Sequence, residues 1–343
     1  MFSATVWADP YKYQAEFGSL VCTAAFQQML ERRSAGEPVC VPMELEQAFL
    51  SHDTADLRAI RQLIRNHRND RLKLIEASIG TLSKRLHDIE LTMTVPRRNS
   101  VMVRRRTVER ELIDARLERK QLMEGVVAHA STRVVPGTWV PLVTFHDGRS
   151  IVRPMRLQCR PSRWTSKADR RLAGSHVVAR NSLQGIWREH YGHTHGVIAL
   201  EAFKESLAAH VLEKRRLGPR EEITTTEVTH TAADGTALLV PCIWSHWQED
   251  GAPELWSFAV ISDSSAADGE PAGGSTTLAV LKKENVAAWL TPQGRPASEL
   301  EAILDDRPHT RMQFTYAKPR DARWSHEPFS FGRVKRGSQA AQS

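Results

Sequence analysis

Val134-Val135-Pro136-Gly137-Thr138-Trp139-Val140-Pro141-Leu142-Val143 and Ser150-Ile151-Val152-Arg153-Pro154-Met155 are two β-prone runs on either side of Asp147-Gly148. An Asp-Gly pair between such runs signals a hairpin, because a tight two-residue turn needs positive φ at both central positions. This reading decides the class of the C-terminal two thirds of the chain. Further strand-like runs follow at His176–Arg180, Val197–Ala202, Leu238–Trp244, Trp256–Ser262 and Thr276–Leu281. Short helices are expected at Leu183–Glu189, Phe203–Val211 and Glu284–Leu290, with a Ser-, Ala- and Gly-rich loop at Ser262–Gly274. No internal repeat is visible.

Upstream of residue 128 the periodicity changes. Leu72, Ile75, Ile79, Leu82, Leu86 and Ile89 recur at alternating three- and four-residue spacing, one apolar stripe along a helix. Leu57, Ile60 and Ile64 begin a similar stripe earlier, and Val108, Leu112, Ala115 and Leu122 continue one later. Between them Thr94-Val95-Pro96 interrupts the pattern, since proline disfavours helix at the residue before it. Two helices broken once read as an antiparallel hairpin. Before it, a strand at Ala4–Ala8 and a helix around Phe17–Arg33 are expected. The fold class is therefore α+β: a β-rich core with a long helical hairpin inserted after its first elements. The expected segments are 1–47, a first strand and helix of the core; 48–127, the hairpin; 128–315, the main core; and 316–343, a polar tail expected to be disordered.

The chain of 343 residues has a formal charge of +7 and a sequence pI near 9.4. Excess positive charge favours polyanions, although mild basicity also serves solubility. Arg97, Arg98, Arg104, Arg105 and Arg106 gather at the hairpin tip, either as a basic finger for a phosphate backbone or as a solvated or protein-docking end. No apolar run is long enough to span a membrane, and residues 1–18 lack the pattern of a secretory signal. Cys22, Cys40, Cys159 and Cys242 are scattered, which argues against a zinc site or a disulfide framework and favours a reducing cytoplasm. His193 and His195 could share a face, but no third ligand stands at a recognisable spacing, so no metal is expected.

Several collinear segments resemble the SRAP family, the abasic-site-processing (SOS-response-associated peptidase) proteins, and in particular a bacterial subgroup with a helical insertion. Ser3-Ala4-Thr5-Val6-Trp7-Ala8-Asp9 with Tyr13 and Phe17-Gly18 is similar to its first strand and helix. Arg153 through Pro161 resembles its "pMRyqCRP" strand, and Ala179-Arg180-Asn181 the end of its "NAR" motif. Gly192 to Gly196 followed by Ala202-Phe203-Lys204-Glu205 resembles the strand that ends in the family's functional glutamate. Cys242 to Trp247 resembles "aglWerW", and Lys282 through Leu290 resembles "kpeNvdaWL". The resemblance runs from about residue 3 to 310. It implies binding of single-stranded DNA at abasic sites and a covalent adduct. The α-amine of an N-terminal cysteine condenses with the sugar aldehyde and its thiolate closes a thiazolidine, while an asparagine, a glutamate and a histidine assist. It implies no cofactor.

Against that pattern, Met1 followed by Phe2 takes the place of the cysteine, Val178 that of the asparagine and Gly274 that of the histidine. A thioether supplies no thiolate. Glu205 and Arg180 remain, and the Met1 α-amine alone can form a reversible Schiff base. Two readings result: retained processing by altered chemistry, and a catalytically degenerate protein that binds single-stranded DNA or a partner, with an interaction module built on the hairpin as the alternative function. Glu205 is read as a proton shuttle or a solvated helix residue, and Arg180 as a phosphate clamp or a structural ion pair. Trp244 and Trp247 are each read as a base-stacking platform or a core residue, with core favoured for Trp244. A serine hydrolase is not supported, for no GxSxG elbow is present. A conventional protease would show peptide cleavage dependent on Glu205.

Overall fold

A computed structural model describes residues 3–52, 54–92, 99–124, 133–167, 169, 175–213, 215–218, 221–263, 278–316 and 335–337. Met1, Phe2, Arg97, Arg98 and Gly274 lie outside the described residues. The chain opens with β1 (Ser3–Val6), α1 (Pro10–Phe17), β2 (Leu20–Val21), α2 (Thr23–Ser34) and α3 (Met43–Ser51). Two long helices follow, α4 (Arg58–Thr92) and α5 (Asn99–Glu124). The rest is β-rich: β3 (Arg133–Val134), β4 (Trp139–His146), β5 (Arg149–Leu157), β6 (Val177–Ala179), β7 (His195–Ala208), then α6 (Ala209–Leu212), β8 (Thr225–Ala232), β9 (Leu238–Trp247) and β10 (Leu255–Ser262). Helices α7 (Val286–Leu290) and α8 (Ala297–Asp305) precede β11 (Met312–Tyr316) and β12 (Lys335–Gly337).

The strand pairings close on themselves. β4 pairs with β5, β5 with β10, β10 with β9, β9 with β7, and β7 returns to β4. This circuit is a five-stranded barrel, which leaves no free edge within the ring. The Asp147-Gly148 turn joins β4 to β5 with φ of 49° and 77°, and His146 faces Arg149 across it. That is the geometry which the dipeptide announced. Closure is tight at Gly196, which faces Thr144 in the β4–β7 pairing. A Cβ there would lie 2.8 Å from Leu142 Cδ2 and 3.1 Å from the Val143 carbonyl oxygen. Trp289 is fully buried beside it and donates its indole N–H to the Gly196 carbonyl at 3.0 Å.

The hairpin has two parts. Leu57, Ile60 and Ile64 are fully buried in the main core, so the first turns of α4 belong to it. Glu46 on α3 fastens this base, accepting from buried Arg33 at 2.8 Å and from half-buried Arg68 at 2.6 Å. Farther out, Ile75, Ile89, Val108 and Leu112 are buried where α4 meets α5, outside the main cluster. Arg71–Glu118, Arg119–Glu76 and Arg105–Glu90 bridge the two helices and confirm their antiparallel course.

Local expectations fail where tertiary pairing outweighs propensity. Phe203–Val211 is not a helix: β7 runs through Ala208, and only Ala209–Leu212 is helical. The apolar spacing of Phe203 and Leu207 fits a helix, but β1 and β8 supply ladder partners on both edges of this segment. The single helix expected at Phe17–Arg33 is two, because Gly18 caps α1 in the left-handed region at φ 65° and β2 intervenes. Leu183–Glu189 forms successive turns after a 3-10 turn at Arg180–Ser182. Leu278 makes one bridge to Ser262 in place of a strand over Thr276–Leu281, whose first two residues lie outside the described residues. Residues 335–337, assigned by sequence to the tail, pair with β11.

Gly196→Ala tests the closure. Overpacking at such a contact costs about 1–3 kcal/mol. Urea unfolding is expected to show a lower midpoint with an unchanged slope, and a midpoint equal to wild type would show that β4 and β7 do not meet there.

Candidate functional site

The site is built by β7 and its two neighbours. Phe203, Glu205 and Leu207 alternate on one face of β7 and are all buried, whereas Lys204 and Ser206 point away from it. Glu205 is thus a carboxylate on an otherwise apolar face, a placement that requires a partner. His230 provides one. It lies opposite Phe203 in the β7–β8 ladder and stacks on that ring at 4.5 Å with an interplanar angle of 1°. Its Nε2 stands 2.8 Å from Glu205 Oε1, a close contact without straight hydrogen-bond alignment. On the other edge of β7, Ser3 of β1 pairs with Lys204, so the first strand delivers its leading end beside Glu205. Ser3 is fully buried, and its hydroxyl accepts from Arg133 Nε at 2.9 Å. Arg133 and Lys204 both contact Glu227 on β8, at 2.9 and 3.1 Å.

A buried carboxylate against an imidazole can hold or pass one proton, while Arg133 and Lys204 share Glu227 on the opposite face of β7. His230 was missed by sequence reasoning. It lies 25 positions after Glu205, a separation without helical or strand periodicity, and only the β7–β8 register brings the two together.

The other residues singled out by sequence go elsewhere. Val178 is 1% exposed within β6, where it pairs with Ile261 of β10 and offers only an aliphatic side chain. Arg180 follows β6 and is held by carboxylates. Its Nε donates to Glu301 at 2.6 Å, one terminal nitrogen to Asp305 at 2.7 Å and the other to the Glu301 carbonyl at 3.1 Å. The Asp305 carboxylate, with Glu301 behind it, raises the pKa of this guanidinium, and Arg180 in turn lowers that of Asp305. Arg180 therefore has the ion-pair environment, and its donors are already engaged.

Trp247 is 2% exposed and lies under the Arg160 guanidinium at 4.2 Å, so the base-stacking reading is corrected: neither ring face is open. Trp244 is only half-buried. Arg104 and Arg106 are exposed on α5, whereas Arg105 turns to Glu90 and Glu109. Cys159 and Cys242 are buried, which pushes the Cys159 thiol up to about 12 and Cys242 well above its ordinary value. Neither supplies a thiolate.

His195 is not a ligand. Burial depresses its pKa to about 3. Its ring stacks on Trp289 at 3.9 Å, Nδ1 donates to the Trp289 carbonyl at 2.9 Å, and Nε2 accepts the Gly192 N–H at 2.9 Å. His193 is exposed on the preceding turn. Among the described residues no group of three or more His, Cys, Asp or Glu is arranged to hold a metal, and no helix is long and apolar enough to cross a membrane.

A closed barrel with a carboxylate–imidazole pair beside its first strand defines the class of site. The sequence profile of the SOS response associated peptidase (SRAP) family matches residues 98–320, more than half of the chain. The chain belongs to the SRAP family, which is associated with the response to DNA damage. Similar solved structures include a protein from Bordetella bronchiseptica, 14% identical, with a TM-score of 0.42 over 55% of this chain and 88% of the other. A Bacteroides thetaiotaomicron protein is 14% identical with a TM-score of 0.41, covering 54% and 76%. A phage-related protein from Bordetella bronchiseptica is also 14% identical with a TM-score of 0.39, covering 55% and 81%. No curated protein matches.

His195 gives a pH test. Its folded pKa lies below the ordinary value of 6.5, so the unfolded chain binds the extra proton first, and stability falls as pH drops from about 6.5 towards 3. His195→Gln is expected to have a lower Tm at neutral pH but a shallower fall on acidification than wild type, measured by thermal melts across that range. Parallel curves would show that His195 is not the titrating group.

Proposed function

We propose that this chain binds single-stranded DNA at abasic sites through the face of β7 that carries Glu205, and that it has lost the family's stable covalent chemistry. The observation that carries the reading is the Glu205–His230 contact beside the first strand. The family's glutamate position is retained, it is buried and paired, and the strand that precedes it in the family's chemistry lies against it.

Loss of covalent closure is argued from Val178. The family's asparagine orients a reacting group through its amide, and a buried valine packed in β6 has no donor or acceptor to replace it. The buried thiols, Cys159 and Cys242, are protonated and unreactive, so they do not take over the role of the missing cysteine. What remains is recognition of the strand and a proton-holding pair. An amine, such as the α-amine of Met1, can still condense reversibly with the aldehyde of an abasic sugar.

The test is a denaturing gel with a single-stranded oligonucleotide carrying one abasic site, run with and without borohydride, beside a native gel across a salt series. The expected result is a salt-sensitive noncovalent complex and no adduct that survives denaturation without borohydride. A band trapped only by borohydride would assign a Schiff base to an amine at the site. A stable adduct without borohydride would contradict the loss of covalent chemistry and point to another nucleophile.

A further inference from the structure

The net charge of the chain is not spread over it. Residues 55–124 hold 17 of the 47 Lys and Arg but only 10 of the 40 Asp and Glu. That excess equals the formal charge of +7 of the whole chain, so the remaining residues are balanced. The inserted hairpin is thus the most basic part of the molecule; residues 316–343 carry a further +4, and the rest of the chain is net negative. Its α4 lies outside the stretch matched by the family profile, which begins at residue 98.

Three features identify the polyanion. First, 14 of the 17 cations are arginine, the side chain whose planar fork suits phosphate oxygens. Second, residues 55–124 contain no Phe, Tyr or Trp. Proteins that hold single strands stack the bases on aromatic rings, and a surface without any can grip only the backbone. Third, the free cations cluster. Lys84, Arg85, Arg104, Arg106 and Arg110 are exposed, and none has an acidic partner among the described residues. The Arg105–Glu90 pair sets the register of the two helices and places Lys84 and Arg85 level with Arg110. All five therefore lie in the outer part of the hairpin. At ~1.5 Å per residue, α4 is on the order of 50 Å long, so this part stands away from the base that Glu46 fastens.

We infer that the outer half of the α4–α5 hairpin docks on the phosphate backbone of duplex DNA next to the single-stranded site. The inference rests on the DNA-binding reading of the barrel face and assigns the hairpin a separate substrate form. A duplex presents about one phosphate charge per 1.7 Å of axis, the densest backbone available to a surface with no base-reading groups. An acidic protein is the competing occupant. It is disfavoured because the exposed large apolar side chains recorded in this part, Leu91, Val103 and Ile113, stand among charged residues, and none is an aromatic anchor of the kind protein interfaces favour.

The experiment uses the full-length protein and the quadruple variant Lys84→Gln, Arg85→Gln, Arg106→Gln and Arg110→Gln. Glutamine keeps helix propensity at these exposed positions, and a circular dichroism melt checks the fold. Fluorescence anisotropy measures binding to a short blunt duplex and to one of its strands alone, between about 50 and 200 mM NaCl. The variant is expected to lose duplex affinity, with the slope of log K against log salt falling by about 3–4, while its single-strand affinity changes less than about twofold. An unchanged duplex slope overturns the inference and leaves a solvated face or an acidic protein as the occupant. An equal loss on both probes overturns the duplex assignment. Wild-type protein that binds duplex but no single strand would sink the barrel-face reading and leave the hairpin inference standing.

Discussion

Everything at the candidate site depends on one strand keeping its extended conformation for 14 residues. β7 pairs first with β9 and β4, which closes the barrel, and then with β1 and β8, which builds the site. Were the chain to coil after Ala202, as its apolar spacing suggests, Glu205 would rotate out of the ladder and the leading strand would lose its partner. The hydrogen-bonded edges on both sides hold the segment straight. Gly196 matters for the same reason, since a Cβ there would crowd Leu142 and the Val143 carbonyl of β4.

The charge of the molecule is divided along the same architectural line. Outside the hairpin, ionic groups are held in fixed pairs: Arg33 on Glu46, which also takes Arg68 from the base of α4, Arg156 and Arg160 on Asp169, and Arg180 on Glu301 and Asp305. Removing one member of such a pair would strand the other, so these arginines are structural. The hairpin bridges its helices with a few ion pairs and leaves the remaining cations in solvent. A basic pI near 9.4 therefore reflects the inserted element and the C-terminal residues 316–343, and not the barrel.

How much of this was legible in the sequence varied with the range of the interactions. The Asp147-Gly148 turn and the hairpin helices were readable, because turn chemistry and an apolar stripe are local. Ile75, Ile89, Val108 and Leu112 are buried as their spacing implied. Glu205 was found through family resemblance, but its helical placement was wrong, since the ladder partners that override it come from residues 3–6 and 225–232. His230 was invisible for the same reason. Trp247 looked available because aromatic content alone does not tell a stacking platform from a core residue, and the Arg160 guanidinium that covers it is 87 positions away. Arg180 stood in a recognisable motif, yet the acids that hold it come from α8.

The central claim is that the Glu205–His230 pair faces the bound strand. Imidazole resonances report this directly, with His195 as an internal control because it is enclosed by Tyr191 and Trp289. Titrating labelled protein with a single-stranded oligonucleotide that carries a stable abasic analogue should move the His230 ring signals and leave those of His195 in place. Saturable binding with His230 unmoved would contradict the account and place the DNA elsewhere on the protein.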